Sequence, residues 1–170
     1  VQLARLDGLS RGTGFKDLAV DGAFIYTTGD RFDVIDVSSP EQPVLAASLE
    51  LQGLARHPER PPTAIAVSGS LAYVATREGL SVIDISVPSS PSEIGILDPV
   101  GTLVETGSGI TPRLLSGITP RSLVYQDGIV YLGTLDSGVV AVDVSDPSDP
   151  SLEGQVLRTP PRVSDLAVSS

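Results

Sequence analysis

Side chains capable of acid–base or metal chemistry are few in this sequence of 170 residues. His57 is the only histidine, and it lies in the proline- and arginine-rich segment HPERPP without a serine–acid pair nearby. The sequence contains no cysteine, which excludes a thiolate nucleophile, and a single histidine is too few for a zinc site of the usual ligands. We therefore interpret His57 as a solvated loop residue, and the sequence predicts no catalytic, cofactor-binding or metal-ligating residue.

One acidic segment, DPSDPS at Asp146–Ser151, brings two carboxylates close together in the sequence. Two carboxylates are fewer than a loop built for calcium supplies, and the prolines restrict how such a loop could wrap around an ion. Calcium therefore stays a weak alternative to the main expectation, which is that no cofactor is bound.

Three aspartates recur in a common context, each at the end of an apolar run and two residues before a serine. They could be acids that surround a pore. An aspartate ahead of an S-x-P segment can also accept hydrogen bonds from the backbone N–H groups of the turn that follows. Because the aspartate recurs in every copy, we favour a structural role in the turn for Asp36, Asp84 and Asp143.

The elements that must position these residues form an internal repeat. Three segments align, at residues 17–51, 64–97 and 122–157. Each contains four strand-like runs separated by a glycine turn, a polar turn and a proline turn. Residues 1–9 resemble the last strand of a unit and residues 165–170 repeat the first, so we expect three complete units with one flanking strand at each end, as part of a longer polypeptide.

The strands are nearly continuous apolar runs, which is typical of strands buried on both faces. No segment of useful length has the spacing of an amphipathic helix. Repeated four-stranded antiparallel sheets covered on both faces are the blades of a β-propeller, and a β-sandwich would explain the regular unit less well. The sequence therefore predicts an all-β fold in which residues 1–170 are part of one β-propeller domain. The tyrosines at the same point of each unit are expected to pack between blades: Tyr26, Tyr73 and Tyr131.

The segments FDVIDVSSPEQP, LSVIDISVPSSP and VVAVDVSDPSDP, the last two preceded by AYVAT and VYLGT, resemble the LVIVD repeat family. The resemblance implies a β-propeller in a bacterial or archaeal protein that is exported or held at the cell surface. It carries over no catalytic residue. It therefore favours a non-enzymatic scaffold or interaction module of a larger extracellular protein. The alternative is part of a propeller-based secreted hydrolase or lyase whose catalytic residues lie in other blades.

Charge restricts the partners of the chain. With 11 basic and 21 acidic residues the net charge is −10, which argues against binding to nucleic acid or to anionic membranes. The longest apolar run, Leu71–Ala75, is far too short to span a bilayer. Besides the rest of its own propeller, we expect a protein or a carboxylate-bearing ligand as partner. The candidate contacts are arginines of the connections between units: Arg56, Arg60, Arg113 and Arg121. A plainer explanation of these arginines is that long exposed loops are rich in arginine without having a binding role.

Two inter-unit connections depart from the compact repeat, at Gln52–Thr63 and Asp98–Arg121. The second contains SGITPRLL directly followed by SGITPRSL, at Ser108–Leu115 and Ser116–Leu123. This duplication is harmless drift if the loop is only exposed. It is functional if the loop forms an arm that contacts a neighbouring domain or subunit.

Overall fold

The computed structural model describes residues 14–52, 62–76, 79–97, 103–106, 109–112, 120–135, 138–156 and 163–167. Strands dominate these ranges. The strands are β1 (Asp17–Asp21), β2 (Phe24–Thr28), β3 (Phe32–Asp36), β4 (Val44–Leu49), β5 (Ala64–Ser68), β6 (Leu71–Thr76), β7 (Gly79–Asp84), β8 (Ser92–Leu97), β9 (Leu103–Thr106), β10 (Gly109–Pro112), β11 (Pro120–Gln126), β12 (Ile129–Thr134), β13 (Gly138–Asp143) and β14 (Ser151–Val156).

Three four-stranded antiparallel sheets contain most of these strands. Blade 1 consists of β1–β4, blade 2 of β5–β8 and blade 3 of β11–β14, and within each blade neighbouring strands are consecutive in the chain. The expected all-β fold with three complete four-stranded blades is thereby confirmed. No helix within the described ranges is both long and apolar enough to cross a membrane.

The turn between the first two strands of each blade requires a positive φ. Gly22 and Gly69 adopt φ values of 55° and 57°, and Asp127 takes the corresponding position with φ 49°. Glycine tolerates this conformation without steric cost, and aspartate is among the few other residues that do. The Gly-containing turns predicted from the sequence therefore have a local steric cause.

A backbone hydrogen bond ties this first turn to the proline turn between the third and fourth strands. The donors Val37, Ile85 and Val144 bond the carbonyl oxygens of Ala23, Ser70 and Gly128, each at 2.8 Å. Both turns of every blade therefore lie at the same end of the sheet. We call the surface formed by these turns, residues 21–24, 37–43, 68–71, 85–91, 126–129 and 144–150, the turn face, and the opposite surface the crossover face.

Apolar clusters fill the two junctions between blades. Between blades 1 and 2 the cluster includes Phe32, Val34 and Val74, and between blades 2 and 3 it includes Leu80 and Val142, all at most 1% exposed. Burial of this kind is the main favourable term in holding the blades together.

The repeated tyrosines confirm this packing in two of three cases. Tyr26 and Tyr73 are 2% exposed inside the junctions. Tyr131, in the same register of blade 3, is only half-buried. It lies on the face of blade 3 opposite to blade 2. Among the described residues, no further blade covers that face.

The insertion at Asp98–Arg121 contains a feature that the repeat pattern does not predict. Strands β9 and β10 form a two-stranded antiparallel hairpin in which Gly109 pairs with Thr106 and Pro112 with Leu103. Hairpin strand β10 contains GITP of the first octapeptide copy, whereas the described part of the second copy begins strand β11 at Pro120.

The structure describes only part of the two flanking strands expected from the sequence. Residues 1–9 lie outside the described residues. Residues 163–167 are described and belong to no strand, whereas residues 168–170 again lie outside. Val163 donates its backbone N–H to the Thr134 oxygen at 2.9 Å, and both Val163 and Leu166 approach Gly133 of β12. Val163 and Leu166 therefore lie against the second strand of blade 3.

Candidate functional site

The three repeated aspartates bind the turns that follow them. Oδ1 of Asp36, Asp84 and Asp143 accepts a hydrogen bond at 2.8 Å from the backbone N–H of the serine two residues later. In blade 3 the Ser145 hydroxyl also donates to Asp143. One oxygen of each carboxylate is thus engaged locally, in the geometry of an Asx turn.

These hydrogen bonds favour the charged carboxylates. The backbone N–H of Ser86, followed by its hydroxyl, lowers the pKa of Asp84. At the other two sites the serine hydroxyl is the larger cause and the serine N–H the smaller one in lowering the pKa of Asp36 and of Asp143. A carboxyl held charged in this way is suited to stabilising a turn and poorly suited to donating a proton at neutral pH.

We predict that Asp84→Ala lowers the midpoint of thermal unfolding by a few degrees, because the Ser86 N–H loses its acceptor. Asp84→Asn is the matched control, since its amide oxygen can still accept that hydrogen bond, and it should lose less. The pKa of Asp84 is lower in the folded than in the unfolded chain, so its stabilisation is present above the unfolded value and is lost as the pH falls through the folded one. Calorimetric melting curves at neutral and acidic pH measure both effects. Equal melting of Asp84→Ala and the parent protein would show that the turn does not need this carboxylate.

The acidic segment Asp146–Ser151 forms a second turn of the same kind. Asp146 Oδ1 accepts hydrogen bonds from Ser148 N at 3.0 Å and from the Ser148 hydroxyl at 2.6 Å. These two bonds, the hydroxyl first, lower the pKa of Asp146. Across the described ranges no group of three or more potential metal ligands comes together.

Of the four candidate arginines, the structure places one. Arg121 is exposed in strand β11, at the entry to blade 3. Arg56, Arg60 and Arg113 lie outside the described residues, as does His57. Ile110 and Ile118 of the duplicated octapeptide also belong to parts of the chain whose side chains are not described.

Another arginine of the crossover face, Arg31 in the turn between β2 and β3, is already engaged. Its Nε donates to the Ser48 hydroxyl at 2.7 Å, and its guanidinium lies 3.6 Å from a carboxylate oxygen of Glu50. The Ser48 hydroxyl in turn donates a short hydrogen bond to Asp33. Arg31 therefore joins the turn between β2 and β3 to the end of β4, and it is less available to a partner than Arg121.

Sequence reasoning missed a cleft on the turn face between blades 1 and 2. The cleft has a volume of about 360 Å³. Phe24, Tyr26, Ile85 and Pro88 supply its apolar wall, and its polar lining comes from the turns and includes Asp21, Ser70 and Ser86. We call this space the turn-face cleft.

The two blade junctions differ in their aromatic packing. At the junction of blades 2 and 3, Tyr125 stacks on Tyr73 with ring centroids 5.0 Å apart and planes 7° apart. At the junction of blades 1 and 2, Val67 stands at the register position of Tyr125 and packs against the apolar cluster that contains Tyr26. Aligning the first strands of the units would have shown this exchange, because it replaces a large ring by a small side chain at a repeated position.

The electrostatics of the cleft involve Tyr26 and Asp21. Burial raises the pKa of the Tyr26 phenol, and the negative charge of Asp21 raises it further. The phenol of Tyr26 is therefore neutral at physiological pH, and it lies within the electrostatic reach of the Asp21 carboxylate.

Comparison with known sequences identifies the repeat. The sequence model of the LVIVD repeat matches residues 15–50, 62–98 and 122–158, which together make up more than half of the chain. The first two matches each contain one complete blade, and the third contains blade 3 except for the first two residues of β11. No curated protein matches the sequence significantly.

Two computationally designed proteins of known structure resemble this one. The superposition on the Ika4 protein has a TM-score of 0.66 at 17% identity and covers 100% of this chain and 88% of Ika4. For the Ika8 protein the TM-score is 0.61 at 16% identity, with 99% of this chain and 43% of Ika8 covered. At such low identity the likeness shows the fold alone, and that fold is propeller-like.

Proposed function

The chain belongs to the LVIVD repeat family and folds into β-propeller blades, and from this premise we propose that it is a non-enzymatic scaffold and interaction module of a larger extracellular or cell-surface protein. The observation that supports the proposal best is that the recurring aspartates form hydrogen bonds within their own turns. Asp36, Asp84 and Asp143 each hold the backbone of their own turn. The residues that every blade repeats therefore serve the scaffold.

The extracellular location rests on the resemblance of the repeat to exported proteins. Protease treatment of intact cells that carry the full-length protein tests it. Cleavage of the propeller on intact cells supports the location, whereas protection until the cells are lysed contradicts it.

We place the partner contact on the crossover face. The connections on this face carry the two insertions, and a fold does not need such excess loop length. Arg121 is exposed there, and a guanidinium recognises carboxylates through two parallel hydrogen bonds. A protein with acidic side chains, or another carboxylate-bearing ligand, fits this chemistry.

Replacing the four candidate arginines by serine should weaken binding to a labelled polyglutamate peptide by about tenfold at low salt, as measured by fluorescence anisotropy. The substitutions are Arg56→Ser, Arg60→Ser, Arg113→Ser and Arg121→Ser. A variant of the turn face, Asp146→Asn with Asp149→Asn, is the control, and we expect it to bind the peptide no more weakly than the parent protein.

Two results would contradict this contact. The first is an unchanged affinity of the arginine variant for the peptide. The second is a footprint of a natural partner that maps to Glu41 and Asp146–Asp149 on the turn face, since those acidic turns lie at the opposite end of the blades.

A further inference from the structure

The turn-face cleft is the strongest unassigned feature of the described residues, and it is independent of the partner contact proposed above. Its apolar wall is aromatic at one end. The rings of Phe24 and Tyr26 have centroids 6.5 Å apart and planes inclined by 42°. Tyr26 is 2% exposed, and Phe24 is half-buried. Tyr26 also stacks on Phe32, with ring centroids 6.1 Å apart and planes 26° apart. Tyr26 therefore fixes the position of Phe24, and Phe24 is the ring that can present a face to the cleft.

The polar lining of the cleft carries a negative charge. Asp21 lines the cleft together with the hydroxyl residues Ser70 and Ser86. In blade 2 the register position of Asp21 is taken by Ser68, which has no charge. The turn face, as defined above, contains no lysine or arginine. A cation that enters the cleft therefore finds one carboxylate and no basic side chain of the turn face.

Aromatic faces combined with a carboxylate attract organic cations. The ring quadrupole is negative at its face, so alkylated ammonium groups bind there by cation–π attraction while their methyl groups make apolar contacts. A volume of about 360 Å³ is within the range of small-molecule sites. A strongly hydrated metal ion would gain nothing from the rings, and an anion would be repelled by Asp21.

We propose that the turn-face cleft binds a small quaternary ammonium compound, with the cationic group against the partly exposed ring of Phe24 and its charge balanced by Asp21. The compound is a free small molecule of the choline type. Val67 packs against the cluster that contains Tyr26, whereas the tyrosine at the corresponding position of blade 3, Tyr125, stacks on Tyr73 at the next junction.

The test is a titration of the 170-residue chain with choline, followed by NMR. We expect saturable binding with an upfield shift of the choline methyl protons, caused by the aromatic rings. The uncharged isostere 3,3-dimethylbutan-1-ol, in which carbon replaces nitrogen, should bind about tenfold more weakly. Equal binding of choline and its isostere would overturn the proposal, since the cleft would then select for shape alone.

Two substitutions locate the site. Asp21→Ser, which reproduces the residue of blade 2, and Val67→Tyr, which reproduces the stacked tyrosine of blade 3, should each weaken choline binding by about tenfold or more. Asp21 is exposed, so Asp21→Ser keeps the test valid even if Val67→Tyr fails to fold. An unchanged affinity of Asp21→Ser for choline would overturn the assignment.

Matched controls distinguish choline binding in the cleft from the general attraction of a cation to a negatively charged protein. Asp149→Asn removes a charge from the same face but away from the cleft, and it should leave choline affinity unchanged. Tyr125→Val reduces the ring at the junction of blades 2 and 3, where Ser68 replaces Asp21, and it should create no second choline site. If Asp149→Asn weakens binding as much as Asp21→Ser, or if a lysine peptide binds the cleft and choline does not, the proposal is wrong.

Discussion

Gly95→Ala should lower the free energy of unfolding by about 3 kcal/mol. A Cβ added to Gly95 would lie 2.0 Å from the carbonyl oxygen of Pro147 and 3.1 Å from its carbonyl carbon. Because these are backbone atoms of the proline turn in blade 3, they cannot rotate away as a side chain would. Blades 2 and 3 would have to separate, and the apolar cluster between them would be loosened. Urea denaturation of the variant and the parent protein measures the loss.

Gly154 is the matched control for Gly95. The two glycines occupy the same register, since Gly95 pairs with Val82 and Gly154 with Ala141. A Cβ on Gly154 meets no atom within 4 Å. Gly154→Ala should therefore leave stability unchanged or raise it by about 0.5 kcal/mol, because alanine restricts the unfolded chain. Similar losses in both variants would show that the effect belongs to the strand and not to the contact between blades.

Tyr73→Ala should cost about 3–5 kcal/mol of the free energy of unfolding, which is typical of removing a buried aromatic side chain. Tyr73 is 2% exposed and stacks on Tyr125 of the next blade. Tyr131 lies in the same register of blade 3 but is half-buried, so Tyr131→Ala should cost only about 1 kcal/mol. Denaturation curves of both variants test the difference, and equal costs would contradict the packing described here.

The ionisation of Tyr73 gives a second measurement of the same burial. Burial, followed by the neighbouring Tyr125, raises the pKa of Tyr73 to about 12. Because the unfolded chain releases this proton at about pH 10, the stabilisation is complete below pH 10 and declines as the pH rises toward 12. Tyr73→Phe should flatten that decline. An unaltered decline in this variant would mean that other groups cause it.

The sequence by itself determined what depends on residues close together in the chain. The three-blade repeat, the glycine turns and the aspartates at the end of each third strand all rest on local geometry. A positive φ at Gly22 or a hydrogen bond from Ser86 to Asp84 involves no more than a few neighbouring residues. Such features can be predicted wherever the pattern occurs, because the residues that cause them belong to the pattern itself.

Tertiary structure decided which copies of a repeated residue are buried and where space is left. Gly95 and Gly154 are equivalent in the repeat, yet only Gly95 faces the backbone of another blade. The same octapeptide contributes to hairpin strand β10 in one copy and to blade strand β11 in the other. The turn-face cleft lies at the junction of blades 1 and 2, and the stacked tyrosine pair Tyr73–Tyr125 lies at the next junction. The physical reason is that burial and cavities depend on the blade packed alongside, whose residues are distant in the chain and are not encoded in the local pattern.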